Sequence, residues 1–353
     1  MTVGWALLGT GRHAVKNVLP EMKQAAGTQL VAVVSRDRAR AESFAREHGF
    51  ANGCTSLAEA LDDPRVQALY HVTPDGLHAR DAIEGATAGR HSLIEKPLAI
   101  SVSQCQEVMA ACSENAVKLG VVFQQRHEAV HLEARRMVRA GDIGEVVMAR
   151  AQLALRAMPQ PAAAPPMSTW RNDPAMRPGG IVMGIGDHAY DTLAWIIGQD
   201  ITEVVAMTDA TRSDAPNERA GSMLLKFSEG AVGVAAASAK TPFGQRPIEI
   251  HGTRGSLILN NTYAYLTGAS EDPRPSMEIR KEGGSTVRYF PVSDGFRLEI
   301  EQFNRCIEGG AAPMTSGAEG LRAHAVTEAA YESQRSGCVQ RVATFIPPGM
   351  SIR

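Results

Sequence analysis

The chain has five cysteines, Cys54, Cys105, Cys112, Cys306 and Cys338, and no CxxC spacing among them. An odd count without paired spacing provides neither a disulfide framework nor a structural zinc site, and it suits a reducing compartment. There is no excess of either charge, since Lys and Arg number 36 against 38 for Asp and Glu. Nucleic acid and anionic membrane surfaces are met by strongly basic faces, so neither is an expected partner. No stretch approaches the ~18 consecutive apolar residues of a membrane span. The strand-like run Val3–Leu8 comes almost at once, with no basic region, long apolar core or cleavage site before it. The expectation is a cytoplasmic protein. Internal repeats and long low-complexity tracts are also lacking.

What is present suffices for two packed domains: 353 residues, of which 44% are hydrophobic and 21% charged. The first part alternates short apolar runs, Trp5–Leu8, Leu30–Val34, Ala68–Thr73, Ser92–Ile94 and Gly120–Phe123, with helical patterns. The helices are expected at Ala14–Ala25, Arg38–His48, Leu57–Leu61, His78–Ala88 and Val102–Asn115. Val15, Val18, Leu19 and Met22 form one apolar stripe on the first helix, and Ser101 with Gln104 reads as a capping box on the fifth. Such alternation predicts a doubly wound parallel sheet, a dinucleotide-binding Rossmann domain over residues 1–124.

After Phe123 the pattern changes. A helix, Ala129–Ala140, stops at Gly141, and a strand-like run covers Glu145–Leu155. A loop rich in Pro and Ala, Met158–Met167, then precedes a helix at His188–Ile197. Alternating runs follow at Glu203–Thr208, Ser222–Phe227, Ala231–Ala237, Ile248–His251, Ser256–Leu259, Met277–Arg280 and Thr286–Phe290, before helices Phe296–Ile307 and Ala318–Arg335. Consecutive strands joined by Gly-containing turns predict a large, mainly antiparallel open sheet. The class is α/β, with residues 125–353 an α+β domain for substrate binding and oligomerisation.

The first chemical motif is Gly9-Thr10-Gly11-Arg12-His13-Ala14, a G-x-G-x-x-A loop between a strand and a helix. Gly9 permits the tight turn, Gly11 lets a pyrophosphate approach the backbone, and Ala14 keeps the helix close to the sheet. The end of the second strand reads Ser35-Arg36-Asp37-Arg38-Ala39-Arg40, where an NAD-specific site usually carries an acid. A hydroxyl followed by guanidinium groups suits a 2′-phosphate, so Ser35, Arg36 and Arg40 point to NADP, while Arg38 reads as solvated helix face. Asp37 leaves NAD possible.

Two further segments, Thr73-Pro74-Asp75-Gly76-Leu77-His78 and Gly89-Arg90-His91-Ser92-Leu93-Ile94-Glu95-Lys96-Pro97, resemble those of the glucose–fructose oxidoreductase / inositol dehydrogenase / MocA family. Gly141-Asp142-Ile143-Gly144, Trp170-Arg171, Gly179-Gly180, Gly186-Asp187-His188-Ala189-Tyr190-Asp191 and Ile250–Ser256 extend the resemblance over essentially the whole chain. It implies a soluble nicotinamide-dependent enzyme acting on a small sugar, anhydrosugar or cyclitol, and a homodimer or homotetramer formed through the second sheet. Lys96 would be the proton donor or acceptor and His188 its partner in catalysis, both touching substrate. Thr73, Pro74, Asp75 and His78 would line the cofactor, with Asp75 where an Asn is usual; His78 is equally a packing residue at a helix start. Glu95 would orient Lys96 or line the cofactor cleft, and Trp170 and Arg171 would approach the nicotinamide. Asp187 and Arg126 are candidate substrate ligands, Arg126 being alternatively half of a salt bridge across the domain seam. Asp191 either bonds towards the site or serves packing. One departure stands out: Gly184 occupies the position where the family places an acid. The uncharged Pro/Ala loop favours a neutral ligand. The alternatives are a reductase of a non-sugar compound, of dihydrodiol or imine type, and a non-catalytic NADP-binding sensor.

Overall fold

The computed structural model describes residues 2–156, 169–210, 218–241, 244, 246–263 and 274–346, so the Pro/Ala loop falls outside the described residues. By internal contact the chain divides into two units. The first comprises Met1–Gln124 with Asp294–Leu321, and the second Gln125–Ser293 with Arg322–Arg353.

Among the described residues the first unit holds six strands: β1 (Val3–Leu8), β2 (Thr28–Val34), β3 (Asn52–Cys54), β4 (Ala68–His71), β5 (His91–Glu95) and β6 (Leu119–Val122). They form one parallel sheet in the order β3-β2-β1-β4-β5-β6. The order reverses between β1 and β4, the switch point at which the carboxyl ends of such strands leave a crevice. Register brings those ends level: Leu8 lies opposite both Val34 and His71, and His71 opposite Ile94. The loops after β1, β2, β4 and β5 therefore leave one edge of the sheet together. β1 is buried along its whole length, as a central strand covered on both faces must be. Sequence patterning missed β3, because Asn52-Gly53 reads as a turn and three residues are too few to show alternation.

The first helix departs from expectation in its winding. Ala14–Val18 is wound more widely, as a π-turn, and an α-helix resumes only at Leu19–Gln24. Pro20 has no N–H to continue an α ladder through this point. The wider turn displaces Val15 from the stripe, leaving it 41% exposed, while Val18, Leu19 and Met22 are buried. On Val102–Glu114 half of the capping box forms: the Ser101 hydroxyl accepts from Gln104 N at 3.2 Å. The Gln104 side chain accepts from Ile100 N at 3.4 Å, one residue earlier than the motif places it.

The segment Asp294–Leu321, expected within the second domain, packs into the first unit instead. Its helix Gly295–Gly309 buries Phe296, Ile300 and Phe303, and the Phe303 ring lies 5.8 Å from that of Trp5. Trp5 Nε1 donates to Asn304 Oδ1 at 3.0 Å. Buried Glu299 accepts from Phe123 N and from the Thr315 hydroxyl, each at 3.0 Å. Burying each such aromatic contributes about 1.5–3 kcal/mol, so the return of this segment completes the core of the first sheet.

The second unit is built on nine strands among the described residues. They are β7 (Val146–Arg156), β8 (Ile201–Thr208), β9 (Ala220–Phe227), β10 (Val232–Thr241), β11 (Ile248–Gly252), β12 (Gly255–Asn260), β13 (Ser276–Lys281), β14 (Gly284–Tyr289) and β15 (Gln340–Arg341). The order is β14-β13-β12-β11-β7-β10-β9-β8-β15, antiparallel except for the parallel pair β7 and β10. β10 shows the cause of its alternation: Gly233, Ala235 and Ala237 are buried, while Val232 and Val234 face outward. The helix Asp187–Ile197 packs on β7 and β10 and is almost wholly buried. No helix among the described residues is long and apolar enough to cross a membrane.

Candidate functional site

The first unit gathers its candidate residues along the carboxyl edge of its sheet. Gly9 has φ +115°, and a Cβ there would lie 2.9 Å from Val72 O, so only glycine lets the loop pass beside the turn after β4. Around Gly11 no heavy atom comes within 4 Å of a built Cβ, which leaves the backbone open to an approaching group. The Thr10 hydroxyl lies 3.3 Å from that of Ser35. Arg40 holds the same threonine, with Nε donating to its hydroxyl at 2.9 Å and Nη2 to its carbonyl at 2.7 Å. Glycine loop, Ser35 and Arg40 are thus brought together at the ends of β1 and β2, with Arg12 and Arg36 exposed beside them. Arg38 turns away to a two-pronged pair with Glu59, at 2.6 and 3.0 Å. Asp37 is committed to capping: its Oδ1 accepts from Arg40 N at 2.8 Å and starts the helix Arg38–His48.

The turn after β4 carries Thr73, Pro74 and Asp75. Thr73 Oγ1 is buried without a hydrogen-bond partner among the described residues. A buried hydroxyl left unsatisfied costs free energy, so this atom calls for a bound group or water. Together with the open backbone at Gly11, it fits the residues to a dinucleotide. His78 is fully buried and acts as a clamp: Nδ1 faces Pro97 O at 2.9 Å and Nε2 faces Thr73 O at 3.1 Å. It ties the turn after β4 to the turn that follows Lys96.

Lys96 is half-buried at the end of β5, beside buried Glu95. Glu95 Oε1 accepts from His13 Nε2 and from the Tyr70 hydroxyl, each at 3.0 Å. Burial alone would push this carboxyl up, but His13, the Lys96 charge and Tyr70 together outweigh it and hold the group below its ordinary range. Glu95 is therefore an anion that fixes the glycine-loop histidine against the lysine strand. Asn17 and the edge of Phe296 hold the other sides of that histidine.

The second unit positions the other candidates. His188 is buried on the helix Asp187–Ile197, which follows a π-wound turn, Val182–Gly186. Asp187 Oδ1 accepts from His188 N at 2.8 Å, and the Tyr263 hydroxyl donates to His188 O at 3.4 Å. Arg126 is buried and paired with Asp191 within the same unit, Nε donating to Oδ2 at 3.0 Å and Nη2 to Oδ1 at 2.5 Å. Its guanidinium also lies 5.8 Å from the Trp195 ring. Trp170 carries Arg171 at 4.3 Å and Arg177 at 5.9 Å from its ring centre.

Two groups escaped the sequence reading. The run Gln124, Gln125, Arg126, His127 and Glu128 is buried throughout although every side chain is polar, and the sequence singled out only Arg126. Periodicity carries no signal for it, but five consecutive polar residues after a buried strand are a compositional hint. Glu218 gave no signal at all. Its carboxylate accepts from Gly180 N, Val182 N and the Tyr331 hydroxyl at 2.8–3.0 Å, partners 36 to 113 residues away.

Comparison with known proteins agrees with this geometry. Residues 3–123 match the oxidoreductase family with an NAD-binding Rossmann fold, and residues 131–258 match the GFO/IDH/MocA C-terminal domain. A 1,5-anhydro-D-fructose reductase of Ensifer adhaerens is 27% identical over 96% of this chain and 98% of its own. D-xylose 1-dehydrogenase (NADP(+)) 2 of Haloferax volcanii is 30% identical over 94% of this chain and 98% of its own. The crystal structure of an aldose-aldose oxidoreductase from Caulobacter crescentus, complexed with glycerol, shares the fold with a TM-score of 0.85 at 24% identity, covering 97% of this chain and all of that one. Fold and motifs define a dinucleotide-dependent oxidoreductase. The chain belongs to the GFO/IDH/MocA oxidoreductase family.

Burial and the neighbouring His78 push the pKa of His71, at the end of β4, down to about 3. The folded state then binds fewer protons than the unfolded chain from about pH 6.5 downward, so stability is full above that pH and falls as pH approaches 3. The expected loss from this residue is about 2 kcal/mol between pH 7 and 5. Urea titrations at both pH values check it, with His71→Gln expected to flatten the profile.

Proposed function

We propose that this protein is an NADP(H)-preferring oxidoreductase that moves a hydride between the nicotinamide and a hydroxyl or carbonyl carbon of a small sugar-like substrate. The observation that carries the reading is the half-buried Lys96 at the carboxyl edge of the parallel sheet, level with the glycine loop and beside anionic Glu95. The bound nicotinamide supplies or accepts the hydride. Lys96 Nζ donates its proton to the oxygen that becomes a hydroxyl, or in the other direction takes that proton from the alcohol. His78, beside the Pro97 carbonyl, supports the turn that carries the lysine. In the second unit we assign His188, Asp187 and Arg126 to the substrate side, and Trp170 and Arg171 to the nicotinamide side. The anhydrosugar and aldose names carried by relatives support the substrate class.

The NADP preference rests on Ser35, Arg36 and Arg40. Arg40 already braces Thr10, and Arg36 is exposed at the same strand end, where a 2′-phosphate would be gripped. Capping engages Oδ1 of the exposed Asp37, and its second oxygen keeps NAD as the alternative cofactor. Work in a reducing compartment such as the cytoplasm is supported by five free cysteines, four of them buried.

A homodimer or homotetramer through the second sheet is supported by its outer face, where Met148, Met207, Leu224, Val232 and Val234 are exposed. A patch of this kind on a monomer is a liability unless a second copy covers it.

Three measurements test these readings. Lys96→Met is expected to keep NADPH affinity within a few-fold and to lose on the order of 10³-fold in turnover; a variant that still turns over would remove the assignment. Fluorescence titration should show NADPH binding more tightly than NADH, by about tenfold or more, with the gap closing in Arg36→Ala; equal affinities in the wild type would refute the preference. Light scattering should give at least a dimer mass, reduced towards the monomer in Leu224→Arg.

A further inference from the structure

Gly184 stands four residues before His188, in the π-wound turn that leads directly into the helix Asp187–Ile197, about one turn away. The structure shows what fills the space at 184. A Cβ built on Gly184 would lie 1.6 Å from Arg177 Nη2. Glycine at 184 and the pose of Arg177 are thus one feature, because any side chain at 184 expels the guanidinium. Where an acid would offer acceptors one turn from His188, this chain offers a cation.

The guanidinium is half-buried and held. Arg177 Nε donates to Gly179 O at 3.2 Å, its backbone N donates to Asp173 O at 2.8 Å, and the Trp170 ring lies beside it. The chain on either side is anchored as well: Glu218 pins Gly180 N and Val182 N, and Asp173 Oδ1 accepts from Ala175 N at 3.0 Å. Arg171 lies over the same indole, 4.3 Å from its ring centre. A guanidinium is donor-only, with N–H groups in a planar fork. A hydroxyl meets one of them weakly, whereas a carboxylate meets two in parallel with opposite charge.

We propose that Arg177 is a specificity-determining residue that recognises a carboxylate on the substrate, so that sugar acids rather than neutral sugars are the preferred class. This rests on the proposed hydride-transfer function with His188 facing the substrate, and it replaces the neutral ligand expected from the uncharged Pro/Ala loop. One planar fork suits a carboxylate. A phosphate, with more charge and three oxygens, is better met by several cations.

The test uses matched probes: D-glucose with D-glucuronate, D-galactose with D-galacturonate, D-mannose with D-mannuronate, and glucose 6-phosphate. NADP+ reduction is followed with the wild type, Arg177→Met, Arg177→Lys and Gly184→Ala, and NADPH binding is measured separately on each. In the wild type at least one uronate should exceed its neutral partner about tenfold or more in kcat/KM. That ratio should fall on the order of 10- to 100-fold in Arg177→Met, mostly through KM, with partial rescue in Arg177→Lys. Gly184→Ala should lose the preference too, by displacing the guanidinium, so the result does not depend on one variant folding. Neutral sugars that match or beat their uronates in all three pairs, a uronate preference that survives Arg177→Met, or a better substrate in the phosphate would each overturn the proposal while leaving hydride transfer intact. NADPH binding with no turnover of any probe would instead remove the functional reading, and the inference with it.

Discussion

The charge on Glu95 is the constraint around which the first unit is organised. A carboxylate at the end of a buried strand is costly unless it is paired and hydrogen-bonded. Here the cost is met by three groups from different parts of the chain: His13 from the glycine loop, Tyr70 from β4 and the ammonium of Lys96. The anion therefore locks the loop after β1 to the strand that delivers the lysine, across 82 residues of sequence. His78 lies between the turns after β4 and β5, its ring nitrogens facing the Thr73 and Pro97 carbonyls; a neutral ring donates to one of them and only the doubly protonated ring to both. Remove either tie and the edge of the sheet loses its fixed geometry, although every strand could still pair.

Much of this was legible in the sequence, for a definable reason. The tight turn at Gly9 was legible because its requirement is local: Gly9 sits at φ +115° against a carbonyl, and a side chain there would be strained. The parallel and the mainly antiparallel sheets were likewise foreseen, since burial on two faces and burial on one leave different patterns along a strand. What failed was either non-local or a matter of winding. Val15 shares the spacing of Val18 and Leu19, yet a π-turn ahead of Pro20 rotates it outward. Glu218 acts on backbone amides, which every residue possesses, so no pattern of residue types could reveal it.

The candidate site shows the same division. Arg40 was expected among the cofactor residues, and from the first turn of the helix Arg38–His48 it makes two bonds to Thr10 in the glycine loop. Arg126 was left between a ligand and a salt bridge across the seam of two domains; it is paired with Asp191 inside one of them. The buried polar run from Gln124 to Glu128 lies where a purely apolar core pattern would have predicted exposure. Gly184 was visible as a departure but not as a consequence, because the residue that requires it lies seven positions earlier in a segment without regular periodicity.

The return of Asp294–Leu321 to the first unit has a bearing on how the chain reaches its native state. Trp5, at the centre of the first sheet, receives Phe303 and Asn304 only after some 300 residues have been synthesised. On a ribosome that emits about 5–20 residues per second, the earliest strand waits for this cover while β7 to β14 of the second sheet emerge. The first unit, begun at the N-terminus, is thus complete only at Leu321. A fragment ending near residue 124 would carry every cofactor motif of the first unit and still lack the helix that closes its core.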